Sequence, residues 1–220
     1  MLLYRPVGHR ELELIVESGL REFPARLPEQ PIFYPVLNAG YAREIAEGWN
    51  TKAEGGAGYV TRFLIDDNYA RKFEPQVVGG SDHKELWVPA EELEEFNSNL
   101  IGHIEVIAAY FGTSFRGSRP TIALKIETDD GLADAYLRAL RDMLEYNYMD
   151  FRGTVILEYR SIFCNFAYWN SAESKADEIL HKNSGHRLVD LIADCWRDNL
   201  PGINLPCQSV LLPEEAEILS

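Results

Sequence analysis

The residues best suited to chemistry lie at or just after the ends of short predicted strands in the N-terminal half. They are one cation, three tyrosines and one carboxylate: Arg5, Tyr34, Tyr41, Tyr59 and Glu85. A guanidinium can bind a pyrophosphate through two parallel hydrogen bonds, and tyrosine faces can stack on a planar cation. A carboxylate can hold a ribose hydroxyl and stabilise positive charge that develops at a sugar carbon. The pattern predicts a nucleotide-sized cleft if the strand ends converge, and ordinary surface residues if they do not.

The elements that must position these residues are many short strands with small helices between them, which is typical of the α+β class. Strand propensity and turn residues predict strands at 2–4, 32–34, 59–65, 85–88 and 104–110, with the first ended by a proline. Apolar spacing predicts a helix over 9–18. Asn38 is expected to cap a second helix, in which Tyr41, Ile45 and Trp49 share a face.

The segment 113–120 is the best boundary in the chain, because it gathers Gly, Ser, Thr and Pro residues between two strand-like runs. We therefore expect an N-terminal domain over 1–112 and a C-terminal α/β domain of unknown type over 121–220. In the C-terminal part, alternating or apolar runs predict strands at 121–127, 155–157 and 163–169. Helices are predicted after Asp129 or Asp130, from Ser171 to about Leu180, and after Ser184.

Composition restricts the class of partner. The chain has 220 residues, 46% of them hydrophobic and 25% charged, which is typical of a folded protein and excludes disordered and fibrous classes. Its formal net charge of −14 argues against nucleic acid and anionic lipid, although a local basic pocket for a small anion is allowed. It has no long apolar run, no signal-peptide pattern and three cysteines without disulfide or zinc spacing. These features predict a cytoplasmic protein without a membrane span.

Metal and phosphate motifs are weakly represented. His83 with Glu85, and His103 with Glu105, have the period-two spacing of a ligand pair on a strand. Neither pair has further ligands, so polar residues on a solvated strand face explain them better, and no metal is expected. The glycine-rich turn 55–58 precedes a strand rather than a helix, so it lacks the usual geometry of a phosphate-binding loop.

Four segments of the N-terminal part occur in a distinctive order: Leu3-Tyr4-Arg5, 31–42, 58–63 and Glu85-Leu86-Trp87-Val88-Pro89. Over residues 1 to about 111 this order resembles the ADP-ribosyltransferase fold, and most of all a group of short bacterial proteins labelled as ADP-ribosylation proteins. The resemblance implies a split β-sheet domain with small helices, with NAD as a substrate. It implies that Arg5 contacts the dinucleotide, that Tyr34 shapes the nicotinamide pocket and that Glu85 is the catalytic carboxylate. Tyr59 is a candidate for stacking by its position alone.

The chain departs from both common subclasses of that fold. Members with Arg in the first motif usually have a Ser-Thr-Ser segment in the second, whereas this chain has Phe33-Tyr34-Pro35. Members with Tyr in the second motif usually have His in the first, whereas this chain has Arg5. Arginine-modifying members also carry an acid two residues before the catalytic glutamate, so His83 in that position argues against arginine as the acceptor.

Two functions from different classes stay open on the sequence. The first is an enzyme that breaks the nicotinamide–ribose bond of NAD and passes ADP-ribose to a protein, a nucleic acid or water. The excess of acidic over basic residues makes nucleic acid the less favoured acceptor. The second is a non-catalytic interaction protein that keeps the fold and binds a protein partner. The C-terminal part would then be a recognition or neutralising module with an immunity or regulatory role.

Overall fold

The computed structural model of the chain describes residues 1–171 and 187–207. Within them the fold mixes helices with small open sheets, so the predicted mixed class is confirmed. The helix predicted from Ser171 to about Leu180 lies outside the described residues from position 172 onward. None of the described helices is long and apolar enough to cross a membrane.

The elements follow one another as short strands first and helices later. The strands are β1 (Leu2–Gly8), β2 (Ile32–Phe33), β3 (Ala57–Ile65), β4 (Gln76–Val77), β5 (Lys84–Glu85), β6 (Val88–Pro89) and β7 (Leu100–Phe111). The helices are α1 (His9–Glu17), α2 (Ala39–Gly48), α3 (Asp67–Ala70), α4 (Leu93–Ser98), α5 (Leu132–Tyr146), α6 (Tyr148–Leu157), α7 (Tyr159–Trp169) and α8 (Leu188–Asn199). Single 3-10 turns occur at Asn50–Lys52 and Ala90–Glu92.

A three-stranded antiparallel sheet in the order β1-β3-β7 forms the centre of the N-terminal part. In its register, Tyr59 of the middle strand lies opposite Val7. The two-stranded ladders β2-β6 and β4-β5 lie beside this sheet. Val36 joins β5 to the central sheet, because it bridges Tyr4 on one side and Glu85 on the other.

The first strand continues past Pro6, where the sequence predicted its end. Pro6 pairs with Val60 of β3. On the opposite edge, Tyr4 and Val36 exchange backbone hydrogen bonds of 2.9 and 2.7 Å. Alternate residues of a strand turn their backbone groups to the same side, so the nitrogen of Pro6 faces the edge beyond Val36. A proline is tolerated there because no ladder bond needs its missing N–H.

The second helix covers one face of the sheet at close range. Asn38 caps it as predicted, since its side-chain oxygen accepts the Tyr41 backbone N–H at 3.1 Å. The buried residues of α2 are alanines: Ala39, Ala42 and Ala46. Gly58 of β3 lies directly under them, and a Cβ on Gly58 would stand only 1.9 Å from the Ala46 carbonyl oxygen. Small residues on both elements therefore set the distance between helix and sheet.

After Phe111 the described residues contain no strand, which corrects the predicted α/β domain. The segments 155–157 and 163–169 belong to α6 and α7, and 121–127 forms no regular element. α7 is buried on nearly all sides, so its sequence lacks the polar face that identifies a helix. The irregular segment is held instead by the buried Glu158 carboxylate, which accepts the backbone N–H groups of residues 121, 122 and 123.

The two halves of the chain share one buried hydrophobic cluster, which runs from residues such as Leu12 to Trp169. A polar contact also joins them, because Ser118 Oγ lies 3.0 Å from His9 Nε2. Ser118 falls within the segment 113–120, where the sequence predicted a linker. The division of the chain into two domains, and the ADP-ribosyltransferase-like character of the first, stay predictions.

Candidate functional site

A cavity of about 580 Å³ opens at the edge of the sheet, where β1, α2 and β5 meet. We call it the aromatic pocket. Its lining residues are Arg5, Pro6, Tyr34, Val36, Tyr41, Glu44, Ile45, Trp49, Val78, His83, Glu85 and Trp87. Three residues singled out from the resemblance, Arg5, Tyr34 and Glu85, therefore line a single cavity, whereas Tyr59 lies elsewhere.

Backbone pairing brings these three residues together from distant parts of the chain. Arg5 directly follows Tyr4, which is bonded to Val36. Tyr34 lies two residues before Val36, and Glu85 bridges Val36 from the other side. The pairing of Val36 on both sides thus brings the Arg5 guanidinium, the Tyr34 phenol and the Glu85 carboxylate close together.

The Arg5 guanidinium is buried and bound by the protein itself. Its Nε donates to Glu11 Oε1 at 2.8 Å and its Nη2 to Glu11 Oε2 at 3.3 Å. Its Nη1 donates to the Tyr34 carbonyl oxygen at 3.2 Å, and its Cζ lies 4.5 Å from the centroid of the Phe33 ring. Arg5 therefore fixes the backbone of the neighbouring pocket segment as well as lining the cavity.

A second guanidinium shares the carboxylate that binds Arg5. Arg26 Nη1 lies 3.7 Å from Glu11 Oε1, and the Arg26 side chain is 10% exposed. Burial and the charge of Arg5 lower the pKa of Arg26. Its Nε is buried without a hydrogen-bond partner in the described part of the chain. This cluster beside the pocket therefore holds two guanidinium groups and one carboxylate, and of the three only Arg5 lines the cavity.

The Glu85 carboxylate is held at both oxygens by side chains of the aromatic pocket. The Tyr41 phenol donates to Oε1 at 2.8 Å, and the Trp87 indole N–H donates to Oε2 at 3.0 Å. Burial raises the pKa of Tyr41 to about 12, and the hydrogen bond to Glu85 adds to this effect. The carboxylate thus has a defined orientation at the edge of the cavity.

Aromatic rings form the walls around this carboxylate. Tyr34 meets Trp87 edge to face, with ring centroids 6.0 Å apart. Tyr41 stacks on His83 with centroids 4.1 Å apart and an angle of 10° between the planes. His83 Nε2 in turn lies 3.3 Å from a carboxylate oxygen of Glu44. This end of the pocket therefore combines flat apolar surfaces with negative charge.

Tyr59 lies in the core, which corrects its assignment as a stacking residue. Its side chain is 0% exposed, so neither face of its ring is open to a ligand. Its phenol oxygen lies 3.0 Å from His9 Nδ1, and burial raises the pKa of Tyr59 well above its usual value. Both faces of β3 are buried. The alternation of side chains along a strand does not show which of its two faces lines a pocket.

Residues of the two histidine–glutamate spacings, which the sequence analysis did not favour as ligand pairs, have other partners. His83 pairs with Glu44, and Glu105 accepts from Arg62 Nη2 at 2.6 Å. Across residues 1–171 and 187–207, no three or more His, Cys, Asp or Glu side chains group as metal ligands. All three cysteines lie within these ranges as free thiols: Cys164 and Cys195, which are buried, and Cys207, which is exposed.

Several residues in or beside the aromatic pocket were not singled out by the motif resemblance. The face formed by Tyr41, Ile45 and Trp49 was recognised by its spacing, but it lines the cavity while the alanines of α2 face the sheet. Trp87 could have been found from its period-two spacing to Glu85. Arg26 lies outside the regular elements and carries no such signal.

A larger cavity, of about 1010 Å³, is lined by residues of α1 and α4, and none of the predicted site residues reaches it. Comparison of the chain with models of protein families, with curated proteins and with solved structures finds no match. The functional assignment therefore depends on the geometry of the aromatic pocket and on the resemblance of its motifs.

Proposed function

We propose that the chain binds NAD in the aromatic pocket, breaks the nicotinamide–ribose bond and passes ADP-ribose to an acceptor. The observation that carries this proposal is a single cavity that brings a cation together with carboxylates and exposed aromatic rings. Arg5, Glu44 and Glu85 line it with the rings of Tyr34 and Trp87, and Arg26 lies behind Arg5 on the same Glu11 carboxylate. NAD carries matching groups, because its nicotinamide ring is a planar cation and its pyrophosphate is an anion.

Glu85 is the residue we assign to the chemical step. When the bond between the ribose carbon and the nicotinamide nitrogen breaks, its electron pair leaves with nicotinamide, which departs as a neutral molecule. The sugar carbon then carries positive charge until an acceptor oxygen or water attacks and loses a proton. A fixed carboxylate stabilises that charge, and loss of such a group typically slows a reaction by about 10²-fold or more.

The aromatic walls suit the leaving group before the bond breaks. Tyr34 and Trp87 are 38% and 48% exposed and line the cavity, so a flat ring can reach their side chains. A cation above an aromatic face is attracted by the ring quadrupole. Because nicotinamide loses its charge on release, this attraction falls when the product forms, which favours its departure.

Arg5 contributes the positive charge that the cavity offers to the pyrophosphate of NAD. Three of its N–H groups are used by Glu11 and by the Tyr34 carbonyl. The remaining N–H groups of this guanidinium have no partner among the described residues and are the ones we assign to a phosphate oxygen. The Glu11 carboxylate, which Arg5 shares with Arg26, holds the Arg5 guanidinium in place for this contact.

Two features restrict the class of group that can accept ADP-ribose. His83 stands where arginine-modifying members of the fold carry an acid, which disfavours arginine. The net charge of −14 disfavours nucleic acid. We therefore favour water or a protein side chain other than arginine.

A non-catalytic interaction protein is the second candidate, and one observation favours it. Arg5 is only 6% exposed and is bound through Glu11, so the cation expected to contact the dinucleotide also serves the fold. On this alternative the aromatic pocket would be a remnant of the fold, and the chain would act by binding a protein partner.

Calorimetry with NAD and with NADH separates the two candidates. NADH is a matched control, because its dihydronicotinamide ring is uncharged. We expect NAD to bind with Kd below about 1 mM, NADH to bind more weakly, and nicotinamide to accumulate on chromatography of the NAD mixture. If NAD gives neither heat nor a thermal shift, the enzyme proposal fails and the partner-binding alternative is favoured.

A further inference from the structure

The two hydrogen bonds on Glu85 come from different parts of the fold. Tyr41 belongs to α2, whereas Trp87 lies between β5 and β6, two residues beyond Glu85 itself. Each donor binds a different oxygen of the carboxylate, at 2.8 and 3.0 Å. Two donors on two oxygens prevent rotation of the carboxylate about its final bond.

Each donor is itself held by a neighbouring ring of the aromatic pocket. The Tyr41 ring stacks on His83, and the Trp87 ring packs edge to face on Tyr34. The donors are therefore preorganised, and each donates a charge-assisted hydrogen bond to one oxygen of the carboxylate. Each carboxylate oxygen retains another lone-pair site that can accept a ribose hydroxyl.

We propose that Tyr41 and Trp87 are positioning residues that hold the Glu85 carboxylate in the orientation required for NAD cleavage. This inference rests on the proposed function, and it assigns roles to two residues that the motif resemblance does not. Tyr41 needs no contact with NAD for this role, and Trp87 acts on Glu85 through its indole N–H, separately from the contact of its ring with nicotinamide. Both act through the oxygen atoms of Glu85, so their loss should slow the chemical step more than it weakens binding.

Conservative variants test the two donors separately. Tyr41→Phe removes the hydroxyl and keeps the ring on His83, and Trp87→Phe removes the indole N–H and keeps an aromatic side chain. We expect each to lower kcat about 10-fold or more, because a hydrogen bond to a charged group is lost, with KM for NAD changed less than about 2-fold. Tyr146→Phe is the matched control, since Tyr146 is 86% exposed and lies outside the pocket. A raised KM with unchanged kcat in both variants would overturn the positioning role.

A second measurement reports the contact without any turnover. In Glu85→Gln, the carboxylate charge near the Tyr41 phenol is lost, so the pKa of Tyr41 should fall below that of the parent, about 12. The ring-carbon NMR signals of labelled tyrosine follow this titration. An unchanged Tyr41 titration in this variant overturns the proposal. If the titration moves but the parent releases no nicotinamide, the contact exists and the proposed function is what fails, together with the catalytic role of the two donors.

Discussion

Arg5 and Glu11 form a two-point ion pair beneath the aromatic pocket, with N···O distances of 2.8 and 3.3 Å. Their side chains are 7% and 20% exposed, so water screens the pair poorly. The same guanidinium binds the Tyr34 carbonyl. One residue thus joins the stability of the N-terminal sheet to the shape of the candidate site, and its substitution should affect both.

Arg5→Ala should lower the free energy of unfolding by about 3 kcal/mol, because it leaves the poorly hydrated Glu11 carboxylate with the longer 3.7 Å contact to Arg26 in place of two hydrogen bonds. Arg10→Ala is the control. Its side chain is 75% exposed in the ion pair with Glu13, and its loss should cost less than about 0.5 kcal/mol. Urea unfolding of both variants measures the difference. Equal effects in the two variants would show that Arg5 has no structural role.

Glu85→Gln should retain the fold and lose about 10²-fold or more in the rate of nicotinamide release, because the amide cannot stabilise a positive sugar carbon. Circular dichroism checks the fold, and chromatography of the reaction mixture measures the rate. Glu91→Gln, which lies in the 3-10 turn Ala90–Glu92 outside the pocket, should react as the parent does. A Glu85→Gln protein that consumes NAD at the parent rate would remove Glu85 from the mechanism.

His9 should make the protein less stable in mild acid. Burial lowers the pKa of His9, although Glu13 acts against this and Arg10 adds to it. The unfolded chain therefore takes up a proton near pH 6.5 that the folded chain takes up only at lower pH, so stability falls as the pH drops below about 6.5. We expect Tm to fall more between pH 7.5 and pH 5.5 in the parent than in His9→Gln. Parallel falls in the two proteins would contradict the prediction.

Gly58→Ala should destabilise the sheet by about 1–3 kcal/mol or more, because the new methyl group would meet the Ala46 carbonyl of α2. Gly153→Ala offers a matched comparison. Gly153 lies within α6, a Cβ there meets nothing within 4 Å, and alanine is a better helix former by about 1 kcal/mol. Thermal unfolding should therefore move in opposite directions for the two variants. A stable Gly58→Ala protein would mean that α2 can move away from the sheet.

The N-terminal strands and the Asn38 cap could be predicted because they depend on local chemistry. The alternation of apolar and polar residues, the turn residues and a capping side chain all act within a few residues of the chain. A single sequence is therefore enough to locate these strands and this cap. The same local rule failed for 163–169. That segment is buried on nearly every side, and without a polar face a short helix has the pattern of a strand.

The candidate site was predictable only in part. The resemblance of ordered motifs selected Arg5, Tyr34 and Glu85, which line one cavity. Tyr59 was selected by its position alone, and this failed because alternation fixes which residues share a face of a strand but does not identify the face that a pocket occupies. The position of Arg26 beside Glu11 depends on long-range packing of the chain, which no local sequence pattern predicts.

The bridge at Val36 means that the site depends on main-chain pairing as well as on the side chain at the crossing. That side chain is buried in a cluster with Tyr4 and Ala42, so an apolar residue is required there. An insertion of one residue just before it would move the register by one step and turn Tyr34 away from the cavity, with every reactive group still present in the sequence. A sequence comparison that counts only matching residues would not detect the loss of the site through such an insertion.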